Sequence, residues 1–297
     1  MPVFKRELPR VLNRSHSLSI VVGIIIGSGI FLVPREMMAA VGSSGMVYLV
    51  WIIGGVISLF GAMTYAEIVA GRPRYGGEYA FLKDAYGDRP AFLFMWTMTI
   101  LGKPASLATI AVGLIRVLEN FPRFQPLAHP VVGTFEWSQL LAVAFTWIIT
   151  ALNIRGTRRS ADVQLSLTWL KGFLIVAIAG FCFVGSRGQG SWHNFQTSFP
   201  AAHGGIAGFM TALVAALWAY NGWNNVSQLA GEIDQPERNL PVALIGGVAI
   251  VGGLYMLTNA AIQYVLPASV IAHDPRPAAD AMRVVAGPSE PPSSRSA

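Results

Sequence analysis

An all-α protein threaded through a membrane is the fold class this sequence predicts, and three observations predict it. Of its 297 residues 53% are hydrophobic and only 12% charged, against about 25% charge in a typical soluble domain. Mean hydropathy is +0.51. The apolar residues gather into runs of the roughly 20 residues that cross a bilayer, and most charges fall in the short loops between those runs.

Seven segments qualify as spans: about 16–41, 46–70, 90–118, 137–154, 162–185, 205–231 and 241–266. They divide the chain into a tail (1–15), a transmembrane domain (16–266), and an outer loop with a C-terminal tail (267–297). The start, "MPVFKRELPRVLNRSHS", is basic and leads into a span with no small-residue cleavage site, so it reads as a cytoplasmic tail and not a signal peptide. The end, "GPSEPPSSRSA", is Pro/Ser-rich and reads as disordered.

Orientation follows from the cations. One side holds Lys5, Arg6, Arg10, Arg14, Arg72, Arg74, Lys83, Arg89, Arg155, Arg158, Arg159 and Arg238. The other holds Arg116, Arg123, Arg187, Arg276, Arg283 and Arg295. The positive-inside rule therefore places the N-terminus in the cytoplasm, in a multi-pass protein of the cell membrane. A net charge of +6 would suit nucleic acid, but the clustering of charges in short loops between apolar runs argues against that partner. The lone Cys182 excludes a disulfide framework or a metal site of cysteines. His129, His193, His203 and His273 have no ligand spacing, and neither a nucleophile–base set nor a phosphate loop is present. An enzyme, a cofactor and a metal are not expected.

Two spans have interrupted centres. The first reads "GIIIGSGIF", and the sixth reads "ALWAYNGWNNVSQLAGEI", with Tyr220, Asn221, Gly222, Asn224 and Asn225 at membrane depth. Glycine costs a helix about 1 kcal/mol relative to alanine. An unpaired backbone group in hydrocarbon costs several kcal/mol, so such breaks are tolerated where they line a cavity or meet a ligand. Amides at a half-helix start suit a carboxylate; carbonyls at the end of the preceding half-helix suit an ammonium group. One place offering both fits a zwitterionic amino acid. Packing of small residues is the plainer reading of one Gly-Ser-Gly. Its pairing with the sixth span matches an inverted repeat of five helices, with the site at the midplane.

These residues resemble a known family. "GIIIGSGIF", "RYGGEYAFLKDAYG", "LGKPASLATIA" and "WAYNGWNNVSQLAGEIDQPERNLPVAL" are similar to bacterial relatives of the L-type amino acid transporters, in the amino acid–polyamine–organocation superfamily, from about Ser15 to Gly287. The resemblance implies a leucine-transporter-like inverted-repeat fold, with the first five-helix repeat complete and the second partial. It implies that the amides of Ser28 and Gly29, beside Gly27, bind the substrate carboxylate. The carbonyls of Ile24, Ile25, Trp218, Ala219 and Asn221 become candidates for the ammonium group, with Tyr220 in the same interrupted segment. Trp218 takes the place of an aromatic outer gate. Glu232, or Glu237, would pair with basic residues of the tail to close the inner gate.

Lys171, in "LSLTWLKGFLIVAIAG", is the most informative single residue. An ammonium group near the bilayer centre costs about 3 kcal/mol on insertion scales and normally faces a bundle interior; snorkelling to an interface is the bland alternative. The resemblance implies that Lys171 replaces the sodium ion of coupled relatives. Transport would then be sodium-independent, with proton coupling left open. Lys103, before Pro104, has no assigned role.

The expected function is secondary transport of amino acids, neutral ones foremost, by alternating access, with a small amino acid and the lipid bilayer as partners. The family pattern stops after the seventh span, which reads as an early stop or frameshift. A second reading is therefore a truncated, non-transporting membrane fragment or an interaction module, working as a homo-oligomer or with a partner chain. A third is a cationic amino acid or polyamine carrier, which would require acidic residues lining the pocket; the nearest to the breaks, Glu232, lies several residues towards the cytoplasm.

Overall fold

In the computed structural model of the protein, residues 9–71, 76–118, 122–132, 135–154, 156–186 and 188–287 are described. Among the described residues, six helices or helix runs are long and apolar enough to cross a membrane, and a bent pair, taken as one span, makes a seventh. The bent pair is α1 (Arg14–Ile25) and α2 (Gly29–Val41), which meet at 45° across the Gly-Ser-Gly segment. Next come α3 (Ser44–Gly71), α4 (Glu78–Tyr86) and α5 (Asp88–Thr97), which runs through a π-helical turn, Met98–Gly102, into α6 (Lys103–Leu118). A short strand pair, β1 (Pro130–Val132) and β2 (Phe135–Glu136), precedes α7 (Trp137–Ile154) and α8 (Thr157–Val184). The sixth span joins α9 (Gly205–Tyr220) to a 3-10 run, Trp223–Glu232, and α10 (Pro236–Val265) is the seventh. Two short helices follow, α11 (Ala268–His273) and α12 (Pro277–Ala286). The all-α polytopic fold class is borne out.

The chain divides into two compact units, one of Met1–Tyr75 with Gln164–Ala297, the other of Gly76–Val163. In the second unit, α6 and α7 meet around Ala111, Ile115 and Ala142, small and branched residues that let two helices approach. The π turn has a local cause. Pro104 lacks an N–H and its ring would strike the carbonyl four residues back, so the preceding turn widens to relieve it. Lys83 and Asp88 bridge α4 and α5 at 2.7 Å.

In the first unit, α3 packs against α10 and α9, α1 against α10, and α2 against α9. At the centre Trp51, Tyr220 and Tyr255 form an aromatic triad with ring centroids 5.0 to 5.7 Å apart. Glycines make room for it: a side-chain carbon at Gly55 or Gly252 would stand 2.9 or 3.0 Å from the Tyr220 hydroxyl. The capping box of α1 is reciprocal, with Asn13 accepting from the His16 amide at 3.0 Å and donating to the His16 ring at 3.4 Å.

Candidate functional site

The first break begins where α1 runs out of partners. A helix end leaves its last carbonyls without intrahelical donors, and here distant side chains take them. The Lys171 amine, from α8, donates to the carbonyl of Gly23 at 3.1 Å and of Ile26 at 3.3 Å. The Tyr255 hydroxyl, from α10, stands 2.9 Å from the Ile25 carbonyl and 2.8 Å from the Ala219 carbonyl, so one proton is shared between the two breaks. Gly23 lets α8 come this close, because any side-chain carbon there would collide with Thr168 and Gln164. Thr168 itself donates to the Ser19 carbonyl at 3.0 Å.

On the other side of the bend, α2 starts at Gly29 with no side-chain cap. Among the described residues the amides of Gly27, Ser28 and Gly29 have no hydrogen-bond acceptor. Gly27 and Ser28 are exposed, and Gly29 is buried. Three amides at the positive end of a helix form a place for an anion.

The second break follows Tyr220. The Asn221 amide turns back to the Trp218 carbonyl at 3.2 Å, and Gly222 adopts φ +120°, a backbone region open almost only to glycine. A side-chain carbon on Gly222 would also stand 2.6 Å from the Ile24 side chain. Gly29 faces the same break: a carbon added there would lie 3.1 Å from the Trp218 ring and 3.6 Å from Ala219. The two interrupted segments are therefore in contact, glycine of one against side chain of the other.

The residues singled out from the sequence fall into three groups. Ile24, Ile25, Gly27, Ser28, Gly29, Trp218, Ala219, Asn221 and Lys171 come together at the paired breaks, with the Trp218 ring against Gly29 and 59% exposed. The carbonyls of Ile25, Ala219 and Trp218 already have donors; those of Ile24 and Asn221 have none among the described residues. Tyr220 stands apart. Its side chain is buried in the aromatic triad and its hydroxyl donates to the Trp51 carbonyl at 3.3 Å, so it packs behind the break. Glu232 meets the tail through its backbone: Leu12 donates to the Glu232 carbonyl at 3.0 Å, and Asp234 donates to the Leu12 carbonyl at 2.8 Å. No ion pair to Glu232 or Glu237 is present among the described residues, and Lys5 and Arg6 lie outside them. Tyr255 was missed by sequence reasoning. Its one signal is a tyrosine in an apolar span, one and two turns before Asn259 and Gln263.

Residues 12–288 match the pattern of a family described as amino acid permease. The chain is 35% identical over 258 residues to a b(0,+)-type amino acid transporter 1 of Mus musculus, covering 86% of this chain and 51% of that protein. It is 34% identical over 266 residues to the serine/threonine exchanger SteT of Bacillus subtilis, covering 89% and 57%. To the human cystine/glutamate transporter it is 32% identical over 260 residues, covering 86% and 50%. The chain thus spans about half the length of the relatives it matches. The chain belongs to the amino acid permease family.

Proposed function

We propose that the paired breaks bind a zwitterionic amino acid, and that the protein carries it across the cell membrane as a sodium-independent secondary transporter. The observation that carries this reading is the contact of the two breaks with opposite backbone polarity exposed between them. The uncapped amides of Gly27, Ser28 and Gly29 would hold the carboxylate. The carbonyls of Ile24 and Asn221 would hold the ammonium group. Trp218, lying against Gly29, would cover the bound molecule and act as the outer gate.

Lys171 supports the sodium-independent part of this reading. Its ammonium group occupies the place where carbonyl oxygens of a broken helix would gather around a cation. The ammonium charge makes an added sodium ion electrostatically unfavourable. No carboxylate lies between Gly23 and Phe31 or between Ala219 and Gly231, which favours neutral substrates over cationic amino acids and polyamines. The cation distribution supports a cytoplasmic N-terminus, and Leu12 pairing with Glu232 and Asp234 would place the inner gate beside the tail.

Proteoliposomes holding this chain are tested with a labelled amino acid panel, in sodium and in choline. The expected result is saturable uptake of neutral amino acids, equal in the two salts and lost in Gly29→Leu. Uptake unchanged in Gly29→Leu would overturn the site, and a strict sodium requirement would overturn the role given to Lys171. Binding without uptake would support the site and reduce the chain to a binding half.

A further inference from the structure

The seam between α3 and α10 carries polar groups that the breaks do not use. Ser44, Tyr48 and Trp51 recur at i, i+4 and i+7 on α3, so they share one helix face. Tyr255, Asn259 and Gln263 recur at i, i+4 and i+8 on α10. The helices run antiparallel. Trp51 is level with Tyr255, their ring centroids 5.0 Å apart, while Gly55 and Gly252 both lie against the Tyr220 hydroxyl. At 1.5 Å per residue, Ser44 is about 10 Å and Gln263 about 12 Å further out, so the two polar rows keep pace.

Along this seam the Ser44 hydroxyl, the Tyr48 hydroxyl, the Trp51 indole nitrogen, the Asn259 carbonyl oxygen and the Gln263 carbonyl oxygen are buried with no hydrogen-bond partner among the described residues. Ser44, Trp51, Asn259 and Gln263 are each at least nine-tenths buried, and Trp51 wholly so. Buried polar groups of native proteins are almost always hydrogen-bonded. This set has a particular composition. The indole only donates, the two amide oxygens only accept, and the hydroxyls do either. The two rows lie on packed helices, yet no direct hydrogen bond joins any two of these groups. That is the condition in which a molecule able both to donate and to accept bridges them.

We propose that the α3–α10 seam binds a line of ordered water, running from Ser44 and Gln263 at its outer end inward to Trp51, level with the Tyr255 hydroxyl. The water joins the two helices by hydrogen bonds that their side chains cannot make directly. It also extends the polar contacts of the break, through the Trp51–Tyr255 contact, towards the outer helix ends. The turn Trp192–Gln196 covers that end, where Phe195 stacks on Tyr48 with ring centroids 6.5 Å apart.

X-ray radiolytic labelling with mass-spectrometric readout tests this on the full chain in nanodiscs, because hydroxyl radicals made from bound water oxidise the side chains beside it. Met37, 0% exposed, is the dry reference. After correction for intrinsic reactivity, Trp51 and Tyr48 are expected to label at least about fivefold faster than Met37, as groups beside buried water should. Trp51 labelling as slowly as Met37 would overturn the proposal. In Asn259→Leu, which removes an acceptor midway, labelling of Tyr48 and Trp51 should fall by about threefold or more while Met37 stays slow. Undiminished labelling at both aromatic residues, with Met37 still slow, would likewise overturn it. Fast labelling at Met37 would mark an unfolded variant, and the unaltered chain then decides alone.

Discussion

The two breaks solve one problem in opposite ways. At the first, orphaned carbonyls are met by side chains from other helices, Lys171 of α8 and Tyr255 of α10. At the second, Tyr255 takes one carbonyl, that of Ala219, and the chain meets its other needs itself. Asn225 donates from its side chain to the Gly222 carbonyl at 3.0 Å, Ser227 donates to the Asn224 carbonyl at 2.7 Å, and a 3-10 run continues the strand of backbone bonds. The first break is held wholly from a distance and the second mainly from within. A break held from a distance can be released by moving a neighbouring helix, whereas a locally held break travels as a piece. The first is thus the better candidate for a switching element, and the second for a rigid wall.

Four substitutions break or sharpen this contrast. Gly222→Val should have the largest effect, because it combines a forbidden φ with a collision at Ile24. Strain of about 1–3 kcal/mol from φ alone, with the clash added, should leave little protein folded in a thermal-unfolding assay. Lys171→Ala comes next. It orphans the Gly23 and Ile26 carbonyls together, each costing about 1–3 kcal/mol, and should loosen amide exchange in α1 while exchange in the Trp223–Glu232 run stays unchanged. Transport should fall with it. Equal loosening at both breaks would erase the contrast.

Tyr255→Phe keeps the aromatic packing and removes only the shared proton. A loss of about 1 kcal/mol is expected, and it is the one substitution here that should loosen both breaks together, measurable by the same exchange experiment. The smallest effect lies away from both. Asp274, between α11 and α12, is buried; burial foremost, and the Asp280 carboxyl within hydrogen-bonding reach, push its pKa above the ordinary 3.8. A carboxyl raised on folding stabilises the protonated state. Its contribution is present below the ordinary value and is lost as pH rises through the raised one. Exchange in α12 should therefore slow on acidification towards that window, and Asp274→Asn, which can keep the bond from the Arg276 amide at 2.7 Å, should flatten the dependence without touching either break.

Much of this was legible in the sequence. Apolar runs between basic loops gave the spans their places, and two interruptions, one of glycines and one of asparagines, marked the segments that meet. The family match bears out the resemblance and the reading as a transporter-family protein in place of an enzyme. Lys171 stood out because a charge in hydrocarbon is costly wherever it lands. Other features depended on what faces what. Tyr220 and Tyr255 have the same chemistry and similar surroundings in sequence, but helix rotation turns Tyr220 onto Trp51 and Tyr255 onto both breaks. Leu12 carries no signal at all, since its contribution is backbone pairing with Glu232 and Asp234. The π turn before Pro104 was readable in principle, from the proline's missing donor, but the span reads as continuous by hydropathy.

Leu12 and Glu232 also set a clock. The chain emerges from the ribosome from its N-terminus at about 5–20 residues per second, so Leu12 waits roughly ten to forty seconds for the segment it pairs with. The end of α1 waits about two-thirds as long for Lys171, and slightly longer for Tyr255. Throughout that interval the newborn first span has carbonyls without donors, which hydrocarbon would not tolerate. Its broken helix therefore has to remain in a wet or protein-lined place, within the insertion machinery, until the fifth and seventh spans arrive to close it.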